Sequence, residues 1–215
     1  GVPFRVLSTL DGMNQRMNKE NLLKLIAESG YNLGYGAKKH FATFDLIEKM
    51  PGWLGFAAFV VGIYALFIPP LAKNEVSALM LLFAISSLYI NGYNAEKQKY
   101  EEGGKRLTDC YNKLRSMYYE VKSLPDAADF TAYVDRHEKL YEDAFVHTVS
   151  KQIFLSDWYA HYKFFWQQQI EWIDEQKHFT VLRDKLPLTF SVVIVLTMLA
   201  IVARVVCHLT AVCSF

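Results

Sequence analysis

The sequence predicts an all-α integral membrane helical protein, with a transmembrane hairpin, a cytoplasmic helical region and a third membrane helix. Charge is strongly segregated, since residues 51–72, 76–95 and 186–203 contain no Asp, Glu, Lys or Arg. A bilayer requires this, because a charged side chain in hydrocarbon is costly. Each run is about the length that a helix needs to cross the hydrocarbon layer. No alternating strand pattern or βαβ unit occurs, so the polar regions are also predicted to be helical.

Composition excludes several classes of protein. The 215 residues include 23 Lys and Arg against 22 Asp and Glu, so the formal charge is only +1. Without a basic excess, direct nucleic-acid binding is not expected. A hydrophobic content of 52% excludes a disordered chain. Three cysteines without a C-x-x-C spacing predict neither a disulfide framework nor a metal site, and the charged first 50 residues argue against a cleavable signal peptide.

Residues 1–50 are predicted to be a cytoplasmic amphipathic region. Asn18 precedes a group of leucines and therefore marks a plausible helix start. Three glycines within residues 30–36 indicate either a turn or a close approach by another helix. This segment lacks the G-K-[ST] ending and the preceding strand of a phosphate-binding loop, so nucleotide binding there is not expected.

Residues 51–95 are predicted to form the transmembrane hairpin. The first helix covers residues 53–68, with Trp53 at the interface that an indole ring prefers. A Pro-Pro pair then ends the helix, because proline lacks the backbone N–H. Asn74 is suited to cap the second helix, which is expected to end near Tyr93.

The second hairpin helix carries a stripe of small and polar side chains within about 100° of the helical wheel. Such a stripe can line a pore or pack against a neighbouring helix, and both interpretations stay open. The first helix offers a small-xxx-small pattern at Ala58 and Gly62, which favours close helix packing. The pore-lining candidates are Ser77, Ala84, Ser87, Asn91 and Asn94.

Residues 96–185 are predicted to be a cytoplasmic helical region for oligomerisation or sensing. A glycine pair at 103–104 is expected to break the first helix, which resumes at about residue 105 and ends at 123. One long helix is expected over residues 129–183, which contain neither Gly nor Pro. Lys and Arg number seven in residues 1–50 and 14 here, so the positive-inside rule places both regions in the cytoplasm.

An aromatic seam is predicted along the long helix, at the spacing of a contact with a partner helix. Such a seam can join subunits or pack within one subunit. The oligomer-seam candidates are Trp158, Tyr162, Phe165 and Trp172.

Three Asp-x-x-x-His pairs also occur along the predicted long helix, and they are interpreted as surface pairs. Neither a metal nor a cofactor is expected, and no catalytic motif occurs. The pairs are Asp143 with His147, Asp157 with His161 and Asp174 with His178.

Residues 186–215 are predicted to form a third transmembrane segment and a tail. Eighteen charge-free residues are just enough to span a bilayer. The alternative is a helix that packs on the protein or lies in the interface.

Short segments around the hairpin carry a resemblance to a known family. Ala37-Lys-Lys-His-Phe-Ala-Thr-Phe precedes the hairpin, Tyr100-Glu-Glu-Gly-Gly-Lys-Arg-Leu follows it, and Ser156-Asp-Trp-Tyr-Ala-His-Tyr-Lys lies further on. With this order of elements, residues 20–185 resemble the SLATT family of two-transmembrane effector domains from bacterial nucleotide-signalling and phage-defence systems. The third apolar segment departs from the simple two-span plan of that family.

The resemblance implies a non-enzymatic effector that forms an oligomeric pore and permeabilises or depolarises the bacterial inner membrane in abortive-infection defence. The implied partners are the lipid bilayer, further copies of the chain, and a nucleotide signal or a separate sensor protein as the trigger. The alternative is a membrane-anchored scaffold that recruits a cytoplasmic partner without forming a pore.

Overall fold

A computed structural model describes residues 17–146, 148–180, 184 and 187–212. Every regular element in these ranges is helical, so the predicted all-α fold class is confirmed. Predictions that concern residues 1–16, His147, residues 181–183, 185–186 and 213–215 lie outside the described residues. The α-helices of the described ranges are α1 (Lys19–Ala65), α2 (Asn74–Asn91), α3 (Lys97–Ser123), α4 (Thr131–Phe145), α5 (Ser156–Gln167), α6 (Glu171–Lys177) and α7 (Leu188–Val212).

Helix α1 is one continuous helix that joins the polar N-terminal region to the hairpin. It has 47 residues and, at about 1.5 Å per residue, is roughly 70 Å long. It begins as predicted, because the Asn18 side chain accepts a hydrogen bond of 2.8 Å from the Asn21 N–H. The predicted region boundary at residue 51 is not a helix boundary, since Pro51 lies inside α1. The helix tolerates Pro51 at the cost of one intrahelical hydrogen bond.

Glycines mark close helix contacts in this chain, and they do not break its helices. A Cβ on Gly30 would lie 2.1 Å from the Trp172 ring, and one on Gly34 would lie 2.8 Å from Phe164. Residues 30–36 therefore form no turn, and their glycines allow α5 and α6 to approach α1 closely. The predicted break at residues 103–104 is wrong, because α3 continues through Gly103, where a Cβ would meet the His40 ring at 2.8 Å.

The predicted long helix over residues 129–183 is also wrong, since α4, α5 and α6 occupy that range. Residues 148–155 lie between α4 and α5, and Leu155, directly before α5, has a φ of 71°, in the left-handed region. His178, with a φ of 51°, ends α6. Neither position is Gly, so the local sequence contains no signal for these breaks. Tertiary packing decides where they lie.

Outside the hairpin, the core of a helical bundle forms where α1 meets α3, α5 and α6. Trp172 is fully buried there, and its Nε1–H donates to the Tyr111 hydroxyl at 3.1 Å. That hydroxyl in turn donates to the Gln169 carbonyl oxygen at 2.7 Å. The core therefore satisfies the polar ends of its large aromatic residues, as burial requires.

The hairpin forms where α2 packs back against the second half of α1. Helix α2 begins at Asn74 itself, and Lys73 occupies the cap without a side-chain hydrogen bond, so the predicted Asn74 cap is wrong by one position. By length and composition, α1, α7 and the helical stretch that begins at Asn74 can each cross a membrane. The side of α2 that faces α1 repeats at spacings of 4, 3, 4 and 3, through Val76, Met80, Phe83, Ser87 and Ile90.

Candidate functional site: the membrane hairpin and its base

The outer surface of the hairpin is made of large exposed apolar side chains. Trp53 on α1 is 67% exposed, and Leu88 on α2 is 71% exposed. Phe59 and Leu82 are exposed in the same way. An apolar surface of this extent is unfavourable in water, and it suits contact with lipid chains or with further copies of the hairpin.

Three of the predicted pore-lining residues share one exposed side of α2. Ser77, Ala84 and Asn91 are spaced by seven residues, and all are exposed in the single subunit. Ser87 is half-buried on the side that faces α1. Asn94 lies beyond the end of α2, in a 3-10 turn, so it does not continue the helical stripe as predicted.

The small residues of α1 divide between two sides of the hairpin. Ala58 and Ala65 are half-buried beside α2. A Cβ at Gly55 or Gly62 would meet no atom within 4 Å, so these glycines face away from the rest of the subunit. The Ala58 and Gly62 pattern therefore does not form a single packed contact within one chain.

A second apolar cluster joins the base of the hairpin to the helical bundle. It brings Ile47 of α1 together with Ile90 and Tyr93 at the end of α2 and with Tyr100 of α3. Ile153 fills the same cluster from residues 148–155, which we call the basal loop. The hairpin ends therefore share a core with a connection between α4 and α5 that no local sequence signal identifies.

Hydrogen bonds fix the basal loop to α1 and α3. The Tyr100 hydroxyl donates to the Lys151 carbonyl oxygen at 2.6 Å, and Thr43 Oγ1 donates to Gln152 Oε1 at 2.5 Å. The Val149 N–H donates to Nε2 of the buried His40 at 3.2 Å.

His40 serves this contact in its neutral form. Its Nδ1 lies 3.0 Å from the Gly36 carbonyl oxygen, which only accepts, so Nδ1 carries the proton and Nε2 is free to accept from Val149. Burial is the largest influence on the pKa of His40 and lowers it, and the charge of Lys39 lowers it further. The hydrogen bond to Gly36 raises this pKa, but the net change is a decrease. Protonation of Nε2 would remove the acceptor for the Val149 N–H.

Acidification is therefore expected to loosen the basal loop. Because the folded-state pKa of His40 lies below its unfolded value of about 6.5, the contact is fully present above that pH and is lost as the pH falls through the folded-state value. Hydrogen–deuterium exchange of the peptide containing Val149 measures this as a lower protection factor at acidic pH. A His40→Gln variant, which cannot be protonated, should lose the pH dependence; an unchanged dependence would contradict the role of His40.

A largely buried ion pair ties α5 to α1 beside the basal loop. The Lys163 ammonium group contacts Asp45, and the two side chains are 15% and 17% exposed. Burial raises the pKa of Asp45, but hydrogen bonds from Lys163 and Lys49 outweigh it and hold this pKa below its usual range. The aspartate is therefore ionised at neutral pH, as the pair requires.

The predicted aromatic seam is not one continuous face, because α5 ends at Gln167 and Trp172 belongs to α6. Trp172 and Phe165 are buried in the core of the helical bundle, while Tyr162 is exposed. Trp158 is half-buried, and its Nε1–H donates to Thr189 Oγ1 on α7 at 2.7 Å. Contact between subunits through these residues stays a prediction.

Two of the three Asp-x-x-x-His pairs lie within the described residues, and their aspartates contact other partners. Asp157 forms an ion pair with Lys39 at 2.7 Å. Asp174 accepts a hydrogen bond of 2.6 Å from the Phe179 N–H through its side chain, and one of 2.8 Å from the His178 N–H through its carbonyl. Within the described ranges, no three His, Cys, Asp or Glu side chains are grouped to hold a metal ion.

Comparison with known proteins agrees with this architecture. A family profile described as SMODS and SLOG-associating 2TM effector domain 6 matches residues 17–194, which extend from the start of α1 into α7. No curated protein and no solved structure matches the chain. Since the match includes the hairpin, its base and the whole helical bundle, the chain belongs to the SLATT family of two-transmembrane effector domains.

Proposed function

We propose that this chain is a non-enzymatic membrane effector that forms a homo-oligomeric pore and permeabilises or depolarises the bacterial inner membrane during abortive-infection defence against phage. The exposed stripe of Ser77, Ala84 and Asn91 on α2 carries this proposal. Two helices are too few to enclose a water-filled path, so several copies of the hairpin must assemble with this stripe facing the lumen. Family membership supports an effector role in a membrane.

The stripe contains no charged side chain, which determines the kind of pore that is expected. Hydroxyl and amide groups stabilise water by hydrogen bonds without a ring of fixed charge, so ion selectivity should be weak. The resting state is closed, since a constant leak would kill the host. Ala84, the apolar member of the stripe, supplies a constriction near the middle of α2 that excludes water until the pore is triggered.

The base of the hairpin is the proposed route for the trigger. A nucleotide signal or a separate sensor protein that shifts the cytoplasmic helices would move the basal loop and the shared cluster at Ile90. The surplus of Lys and Arg at this end supports a cytoplasmic orientation for the bundle, with Lys73 at the outer tip of the hairpin.

Substitutions at Asn91 test the pore directly. Asn91→Leu is expected to suppress ion flux because it removes a water-binding group, and Asn91→Asp is expected to shift the flux toward cations. Both are measured with a voltage-sensitive dye and by cell survival after strong induction in bacteria, at matched membrane abundance. Asn94→Leu makes the same chemical change beyond the end of α2 and should leave flux unchanged.

Equal flux and killing by all three variants would contradict a pore lined by α2. Membrane association without flux in any variant or in the parent would favour the membrane-anchored scaffold instead.

A further inference from the structure

The basal loop presents two large apolar side chains to the outside of the subunit. Phe154 is 75% exposed and Leu155 is 41% exposed, whereas the preceding Ile153 is buried at the hairpin base. Hydrogen bonds fix the loop at residues 149, 151 and 152, and the exposed pair follows them directly before α5. We call Phe154 and Leu155 the apolar tip of the loop. The left-handed backbone of Leu155, with a φ of 71°, is a conformation that favours glycine, so a leucine there is costly for the backbone.

This tip lies at the level where the apolar helices leave the cytoplasmic bundle. Ile153 belongs to the cluster that includes Met50 and Leu54, where the charge-free part of α1 begins. The same cluster contains Ile90 and Tyr93, where α2 ends.

The start of the third apolar helix lies beside the first turn of α5. Trp158 donates to Thr189 and packs edge-on against Phe190, with the ring centroids 5.6 Å apart. Both contacts lie at the beginning of the apolar stretch Thr189–Val206. The basal loop therefore packs against the near ends of the first two apolar stretches, and the first turn of α5 contacts the start of the third.

We infer that Phe154 and Leu155 insert into the interfacial layer of the cytoplasmic leaflet, so that the basal loop is a lipid contact in addition to the membrane helices. This inference rests on the membrane helices and does not require a pore. At this depth an apolar side chain leaves water and contacts acyl chains and lipid backbone groups, which is favourable.

The neighbouring Lys151 has the chemistry of a membrane interface. Its side chain is exposed, and its ammonium group lies 4.6 Å from the centroid of the buried Tyr93 ring. Long basic side chains are typical of the headgroup region, because the apolar stem can lie along apolar surface while the charged group stays in water. A lipid surface therefore fits both the apolar tip of the loop and its basic flank.

Site-directed fluorescence in liposomes tests this inference on the full chain. The three native cysteines are replaced, Phe154→Cys is labelled with a nitrobenzoxadiazole dye, and quenching by nitroxide-headgroup lipids is compared with quenching by aqueous iodide. Tyr119→Cys is the matched control, since Tyr119 is an exposed aromatic residue on α3. The label at 154 should be quenched several-fold more by the nitroxide lipid than the label at 119, and it should resist iodide.

A label at Leu155→Cys gives an independent second site and should behave like the label at 154. Equal iodide quenching at 154, 155 and 119, without nitroxide quenching, would overturn the inference. A blue-shifted emission at 154 that neither quencher affects would also overturn it, because the tip would then be covered by protein, such as a second copy of the chain.

Discussion

Replacing Trp172 with alanine is expected to lower the free energy of unfolding of the helical bundle by about 3–5 kcal/mol. Trp172 is fully buried, and its ring packs between Gly30 of α1 and the rings of Tyr111 and Tyr118 on α3. Removing the ring would leave a cavity and would deprive the Tyr111 hydroxyl of its hydrogen-bond donor. Denaturation followed by circular dichroism in detergent micelles measures the loss.

A pair of glycine substitutions tests the same contact from the side of α1. Gly36→Ala should stabilise the bundle by about 1 kcal/mol, since alanine favours a helix interior. The new Cβ would meet Leu107 at 3.5 Å, an ordinary van der Waals contact. Gly30→Ala has the same helix preference, but its Cβ would lie 2.1 Å from the Trp172 ring. Overpacking of this kind costs about 1–3 kcal/mol, so Gly30→Ala should be clearly less stable than Gly36→Ala.

Equal stabilisation by the two alanines would show that Trp172 does not pack against Gly30. An unchanged stability of Trp172→Ala would show that this residue lies outside the core, as an exposed seam between subunits requires.

Breaking the pair of Asp45 and Lys163 is the second large expected effect. Asp45→Ala should lower the free energy of unfolding by about 3–5 kcal/mol, because it leaves the largely buried Lys163 ammonium group without its partner. Burial and the nearby Lys163 charge already lower the pKa of Lys38, so this region holds positive charge poorly without Asp45. Asp109→Ala is the matched control, since its pair with Lys113 is exposed. That pair should contribute less than about 1 kcal/mol to the free energy of unfolding.

Two further measurements separate the ion pair from simple loss of packing. The double variant Asp45→Leu with Lys163→Met should recover most of the stability, because no unpaired charge remains. The effect of Asp45→Ala should also disappear in acid. The depressed pKa of Asp45 means that its stabilising contribution is present above the unfolded value of about 3.9 and is lost as the pH falls through the lower folded-state value.

If the double variant is as unstable as Asp45→Ala, the loss comes from packing and the ion pair is not its cause. An Asp45→Ala effect that persists at low pH would lead to the same conclusion.

The membrane part of this protein could be predicted from the sequence, because each side chain has its own free energy of transfer from water into a bilayer, whatever its neighbours are. The three charge-free runs therefore identified the apolar helices of α1, α2 and α7 without any knowledge of packing. Local chemistry also located the start of α1 after Asn18 and the end of α3 before Pro125. The exposed stripe of α2 was predicted in part, since Asn94 falls beyond the helix end.

Only the tertiary structure decided the arrangement of the helical bundle. Gly103 and Gly104 resemble a helix break, yet they lie inside α3 because His40 and Phe41 of α1 need the space. Asp45 and Lys163 are 118 residues apart, so no local pattern indicates their contact. The sequence by itself determined which segments avoid water, because hydropathy belongs to each residue; which helices meet, and hence where Trp172 and the basal loop lie, depends on shape and charge matched across the whole chain.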